Sequence, residues 1–151
     1  MKLNTNFIYR NTSFTDQNAF FDGIASDLYA AGYVTADYAQ ALKDREAEFP
    51  TGLPVPGGVA IPHTDATHVL KDTIAVATLV EPIAFGEMGG DDGDMVSVSL
   101  IVLLVLTSAA GHLAFLSETI KAIQDTAFVA ALTSSSSDED IQDLVTLKLN
   151  I

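Results

Sequence analysis

The sequence has no cysteine, and its 7 lysines and arginines stand against 20 aspartates and glutamates. The missing thiols exclude a disulfide framework, a thiolate nucleophile and any cysteine-ligated zinc or iron-sulfur site. The shortage of cations, at a formal charge of -13, argues against a surface that neutralises a nucleic-acid backbone or an anionic membrane. Long apolar runs are missing as well. The longest, Leu100 to Leu106, falls far short of a membrane span, and the polar opening MKLNTNFIYRNTSFTD lacks a secretory apolar segment. The expected location is therefore the cytosol, with no membrane insertion. Neither GxxxxGK(S/T) nor GxGxxG occurs, so no nucleotide pocket is signalled, and there is no internal repeat. What is present is 151 residues, 48% of them hydrophobic, which is the material for one core in one domain spanning residues 1–151.

Phe7, Ile8 and Tyr9 form a short strand-favouring run before a polar turn. From Thr15 to Ala31 the apolar residues Phe20, Ile24 and Leu28 fall on one helix face, and Gly32 follows as a stop. Thr35 is positioned to cap a second helix running to about Ala47, whose stripe of Tyr38 and Leu42 continues onto Arg45. Four of the five prolines then fall between residues 50 and 62, beside Gly52, Gly57 and Gly58, which predicts a stiff, ordered loop. Within it Val59 to Ile61 make a strand-like step that Pro62 prevents from continuing. Asp72 to Val80 and Val96 to Leu106 read as central strands covered on both faces, with Glu81 to Asp94 as a surface loop between them. Gly111 and His112 open a third helix with Leu113, Leu116, Ile120 and Ile123 inward, and another helix follows at Ala127 to Leu132. Ser137, three residues before Asp140, predicts a cap for a last helix carrying Ile141, Leu144 and Leu147. Strands alternating with helices imply an α/β fold: a mixed or largely parallel sheet of about five strands between two helical layers.

The candidate chemistry lies in the three histidines. His63 follows a proline at the end of an interior strand, where rigid backbone holds a ring that can still meet solvent. A neutral imidazole keeps one lone pair, so His63 can accept a phosphoryl group without metal; a loop histidine satisfied by backbone groups is the other reading. His68, five residues on, orients His63, lines the site or sits exposed. With His63 and Asp65 it would also make a metal set for a small hydrolase, although HExxH and a second carboxylate cluster are lacking. His112 stands near a helix start, where backbone N–H groups favour anions, and either adds a phosphate donor or is simply exposed. Arg45 has forked donors that match phosphate oxygens, and alternatively pairs with Asp44, Glu46 or Glu48. Asp91, Asp92 and Asp94 read as a solvated turn, without the spacing of a calcium loop.

Three stretches, REAEFPTG (Arg45 to Gly52), AIPH (Ala60 to His63) and GHL (Gly111 to Leu113), resemble the IIA component of the bacterial phosphoenolpyruvate-dependent sugar phosphotransferase system, fructose/mannitol superfamily. The resemblance runs from about Phe7 to Leu144. REAEFPTG followed by AIPHTDATH and DDGDMVSVSL is most similar to the galactitol-type members. It implies a mixed sheet between helices and a relay from the histidine phosphocarrier protein to His63 and on to the IIB component, serving uptake of galactitol or a related polyol, without cofactor or metal. Arg45 and His112 match the family's phosphate-stabilising arginine and second histidine. Galactitol-type members often lack the GHL histidine and have one corresponding to His68; this chain has both, so either could assist His63. A regulatory phosphoacceptor of the same fold, acting with no permease, is the alternative role.

Overall fold

The computed structural model describes residue 1 and residues 3–151. Its elements are β1 (Ile8–Thr12), α1 (Gln17–Ala30), α2 (Tyr38–Glu48), β2 (Gly52–Leu53), β3 (Val59–Ala60), β4 (Thr73–Gly86), β5 (Met95–Val105), α3 (Ala109–Ile123), α4 (Thr126–Thr133) and α5 (Asp138–Leu149). Among the described residues they build one five-stranded sheet in the order β1-β4-β5-β3-β2. β1 runs parallel to β4 and β3 parallel to β5, while the β4–β5 and β2–β3 pairs are antiparallel. The sheet is therefore mixed, as the alternation of elements predicted, and not largely parallel.

β5 sets the plan. Its residues Leu100 to Val105 are all buried, and successive side chains leave opposite faces. Ile101, Leu103 and Val105 join Phe20, Phe21, Ile24, Leu28, Tyr38 and Leu42 on the α1–α2 side. Leu100, Val102 and Leu104 join Ile123, Phe128, Leu132, Ile141 and Val145 on the α3–α5 side. Each such side chain contributes about 1.5–3 kcal/mol by leaving water, so neither helical layer can be removed without exposing half of the central strands.

Several local expectations are corrected. The segment read as a loop after Val80 is largely strand: β4 bulges between Thr78 and Ile83, then pairs Ile83 with Val98 and Gly86 with Met95. Pro82, which has no N–H to give, sits in the exposed bulge, while Ile83 and Phe85 point inward at period two. Only Glu87 to Asp94 turn, closed by the Glu87 N–H on the Asp94 carbonyl. Asp37, rather than Thr35, precedes the first residue of α2, and the Thr35 hydroxyl donates to its carboxylate. The buried stripe of α2 is Tyr38, Leu42 and Glu46, so the charged residue facing inward is Glu46, with Arg45 beside it. Ser108 caps α3, which starts at Ala109; its buried residues are His112, Thr119, Ala122 and Ile123, and Leu116 and Ile120 pack against the core as expected. Leu113 is 73% exposed and Leu147 is 85% exposed, so neither belongs to the core. The Ser137 cap is found, accepting from the Asp140 N–H at 3.1 Å.

Gly58 has φ +65, and a Cβ there would lie 1.9 Å from the Ser97 carbonyl oxygen, a backbone atom. Gly89 has φ +71 with open space around it. In urea titrations Gly58→Ala is expected to lose at least about 3 kcal/mol, strain and clash combined, against about 1 kcal/mol for Gly89→Ala, where strain acts alone.

Candidate functional site

Parallel pairing of β3 with β5 sends both strands toward the same end of the sheet, with Ala60 level with Ile101. The Pro62 carbonyl still accepts from the Leu104 N–H at 3.1 Å, and beyond it the chain turns away, leaving His63 at the rim. β5 ends three residues before Ser108, and one turn of α3 brings in His112. The two imidazole centroids are 5.8 Å apart. Arg45 arrives from the last turn of α2. Together with Asp65, Leu113 and Leu116 these residues line a cleft of about 410 Å³. An adjoining cleft of about 330 Å³ shares Arg45, His63 and Leu116 and adds Phe49 and Met88.

The hydrogen bonds define the rings' protonation. His63 Nδ1 lies 3.0 Å from the Ile61 carbonyl oxygen, and His112 Nδ1 lies 3.2 Å from the Ser108 carbonyl oxygen. A carbonyl only accepts, so in each neutral ring the proton sits on Nδ1 and the lone pair on Nε2. His112 is 9% exposed and its Nε2 is buried without a partner. Burial is the main influence holding both histidines below the usual imidazole value of 6.5. The Arg45 guanidinium adds to this at His63, and the neighbouring His63 adds to it at His112, while the two carbonyl bonds and Asp65 work in the opposite direction. Both rings are thus neutral near pH 7.

The Arg45 guanidinium lies over the Phe49 ring, 4.4 Å from its centroid. Among the described residues it takes part in no ion pair, and the alternative of a bridge to Asp44, Glu46 or Glu48 is not what forms. Asp44 accepts from the Gln40 amide, and Glu46 turns into the protein. A cation resting on an aromatic face keeps its donors available for an incoming anion.

His68 lies elsewhere. It ends a short 3-10 turn, and its Nδ1 is 3.2 Å from an Asp37 carboxylate oxygen. The structure therefore gathers Arg45, His63 and His112 and leaves His68 out of the cleft lining, so the His63, Asp65 and His68 set that a metal-dependent hydrolase would use is not assembled. Among the described residues no group of three or more His, Asp and Glu side chains is placed to hold a metal ion.

A model of the phosphoenolpyruvate-dependent sugar phosphotransferase system, EIIA 2, matches residues 1–148. The chain belongs to this EIIA family. It is similar to the galactitol-specific EIIA component of Escherichia coli (strain K12), with 32% identity over 111 residues that make up 73% of each chain. In structure it resembles the enzyme IIAMTL of Escherichia coli, seen in complex with phosphorylated enzyme IIBMTL, at TM-score 0.77 and 21% identity over 96% of this chain and 97% of the other. It also resembles the nitrogen regulatory protein IIA-Ntr from Neisseria meningitidis, at TM-score 0.77 and 28% identity over 95% and 96%. As an EIIA component it is a phosphotransferase, on the α/β fold predicted from its sequence.

Sequence reasoning about this EIIA chain passed over three residues at the site. Phe49, 51% exposed, carries Arg45, and Leu113 shapes the cleft instead of the core. The third is Glu46, 4% exposed, whose Oε1 accepts from the Thr51 N–H at 3.1 Å and from the Thr51 hydroxyl at 2.6 Å. Burial pushes its carboxyl from 4.5 up to about 7, against the pull of the two Thr51 bonds. Because the folded state holds this proton more tightly than the unfolded chain, its contribution to stability is complete below pH 4.5 and is lost as the pH rises through about 7. Denaturant titrations from about pH 5 to about pH 8 should show the stability of the wild type falling relative to Glu46→Gln by on the order of 2–3 kcal/mol. A pH-independent difference would remove the assignment of that proton to Glu46.

Proposed function

We propose that residues 1–151 form a single carrier domain that holds a phosphoryl group on Nε2 of His63. It receives the group from a histidine phosphocarrier protein and passes it to a IIB component for uptake of galactitol or a related polyol in the cytoplasm. The observation that carries this reading is the Ile61 carbonyl on His63 Nδ1, which leaves the Nε2 lone pair free to attack. Among the described residues no helix is long and apolar enough to cross a membrane, which fits a carrier working beside a permease rather than within it.

In the accepting step the His63 Nε2 lone pair attacks phosphorus on the phosphorylated donor. A new N–P bond forms as the donor's N–P bond breaks, and the electron pair leaves with the donor imidazole. The proton stays on Nδ1, donated to the Ile61 carbonyl, throughout. The transferring group spreads negative charge over its equatorial oxygens, so positioned donors do more for the rate than covalent machinery. Arg45 supplies such donors with no carboxylate competing for them. His112 offers only a lone pair at Nε2 while neutral, and the arriving anion raises its affinity for a proton, so that the ring takes one from water and Nε2 donates instead. Passing the group to IIB reverses these changes.

The surroundings suit visiting proteins. Phe49 and Leu113 present exposed apolar surface beside the cleft, and the charge of -13 favours partners with a cationic rim. The likeness to a nitrogen regulatory IIA protein supports a second reading, a phosphoacceptor that signals without a permease. Direct transfer to a cognate IIB separates the two.

With phosphoenolpyruvate, enzyme I and the phosphocarrier, wild-type protein should become labelled on His63 Nε2 and His63→Ala should not; equal labelling of both removes His63 from its role. Arg45→Ala should slow acceptance by on the order of 100-fold. Because burial favours the neutral ring, the acid limb of the rate should fall below pH 6.5, the usual imidazole value. Phosphorylation should raise the pH midpoint of the His112 ring signals in NMR titrations, and an unmoved midpoint would exclude His112 as a donor.

A further inference from the structure

We infer that Glu46 is a positioning residue for the phosphoacceptor, its buried carboxyl oxygen fixing the backbone that selects which nitrogen of His63 is free. The inference rests on the reading of His63 given above. Three consecutive links, made by four hydrogen bonds, lead from one side chain to the other. Glu46 Oε1 accepts from both the N–H and the hydroxyl of Thr51. The Thr51 carbonyl accepts from the Ile61 N–H at 3.3 Å, prolonging the pairing in which Gly52 faces Ala60. The Ile61 carbonyl then accepts from His63 Nδ1 at 3.0 Å.

On the far side of His63 the Thr64 hydroxyl donates to the Ala41 carbonyl of α2 at 3.4 Å. The backbone carrying His63 is thus tied to α2 before and after the ring, and α2 also carries Arg45. One helix thereby sets where the guanidinium and the imidazole stand relative to each other.

A packing role alone does not account for the residue type. Position 46 continues the stripe of Tyr38 and Leu42, where an apolar side chain would be buried at no electrostatic cost. A carboxyl group buried there without a cation is costly in either charge state, and what it returns is two donors satisfied on Thr51, itself 3% exposed. Without an acceptor at 46, the buried Thr51 N–H has to find another partner, and the corner joining α2 to β2 shifts with it.

Long-range 15N NMR of unphosphorylated full-length protein reads the His63 tautomer directly, and phosphoryl acceptance from the phosphocarrier reads its consequence. Wild type and Glu46→Gln, whose amide oxygen still accepts from Thr51, should show the Nδ1–H form. Glu46→Ala should give a mixture of tautomers and slow acceptance about tenfold or more, as expected when a reacting group is misplaced. Thr51→Val removes one donor at nearly constant volume and should shift both readouts the same way, which keeps the test available if Glu46→Ala does not fold. Leu42→Ala, on the same stripe, should lose stability and keep the tautomer. An unchanged tautomer and rate in Glu46→Ala or Thr51→Val, or an equal shift in Leu42→Ala, overturns the inference. Labelling of wild type at a residue other than His63 overturns the functional reading instead, and the tautomer comparison still reports on Glu46.

Discussion

The structure depends on β5 being buried on both faces. A strand whose side chains from Leu100 to Val105 are all inaccessible must have its backbone paired on both sides and an apolar layer above and below. That leaves no place for polar chemistry along its length and directs it to the strand ends. Since β3 runs parallel to β5, the chain leaving each strand emerges at the same end, and this brings together two histidines that are 49 residues apart by their numbers, 112 and 63. Antiparallel pairing of the same two strands would have sent them to opposite ends of the sheet.

The electrostatics of the site follow from scarcity. A chain with few cations holds one of them, Arg45, against Phe49 and away from the acidic residues on its own helix. Partial burial keeps both imidazoles neutral, while two main-chain carbonyls fix which nitrogen bears the proton. A metal ion is not needed to produce a free lone pair in this arrangement; ordinary backbone acceptors do so.

Much of this was legible from residue order. The Ile, Val and Leu content of β5 marked it as a doubly covered strand, and Pro62 located the break after which His63 emerges. The REAEFPTG, AIPH and GHL stretches identified the family before any geometry was known. What could not be read depends on contacts distant in sequence. The pairing of His68 with Asp37 spans 31 positions. Spacings of three and four from Leu42 admit both Arg45 and Glu46 to the inward stripe of α2, and what seats Glu46 there is Thr51, beyond the end of the helix. Within the Glu81 to Asp94 stretch, Pro82 and Gly86 resemble loop composition, while the period-two burial of Ile83 and Phe85 belongs to a strand. The start of α3 is hard to read from residue order, since Ser108, Ala109 and Ala110 differ little from a loop and only the Gly111 N–H donating to the Ser108 hydroxyl marks the cap.

The stretch from Pro50 to Pro62 joins the sheet through strands of only two residues each, so its shape owes much to its own covalent chemistry: pyrrolidine rings that lock φ, and glycines at φ +91 and +65, a region most side chains avoid. Stiffness of this kind is built in before any encounter. A carrier that meets one protein to load and another to unload then has little ordering entropy to surrender at either meeting, so a small contact area suffices and both complexes can dissociate quickly. In the relay proposed above, such a loop has almost nothing left to rearrange at either encounter.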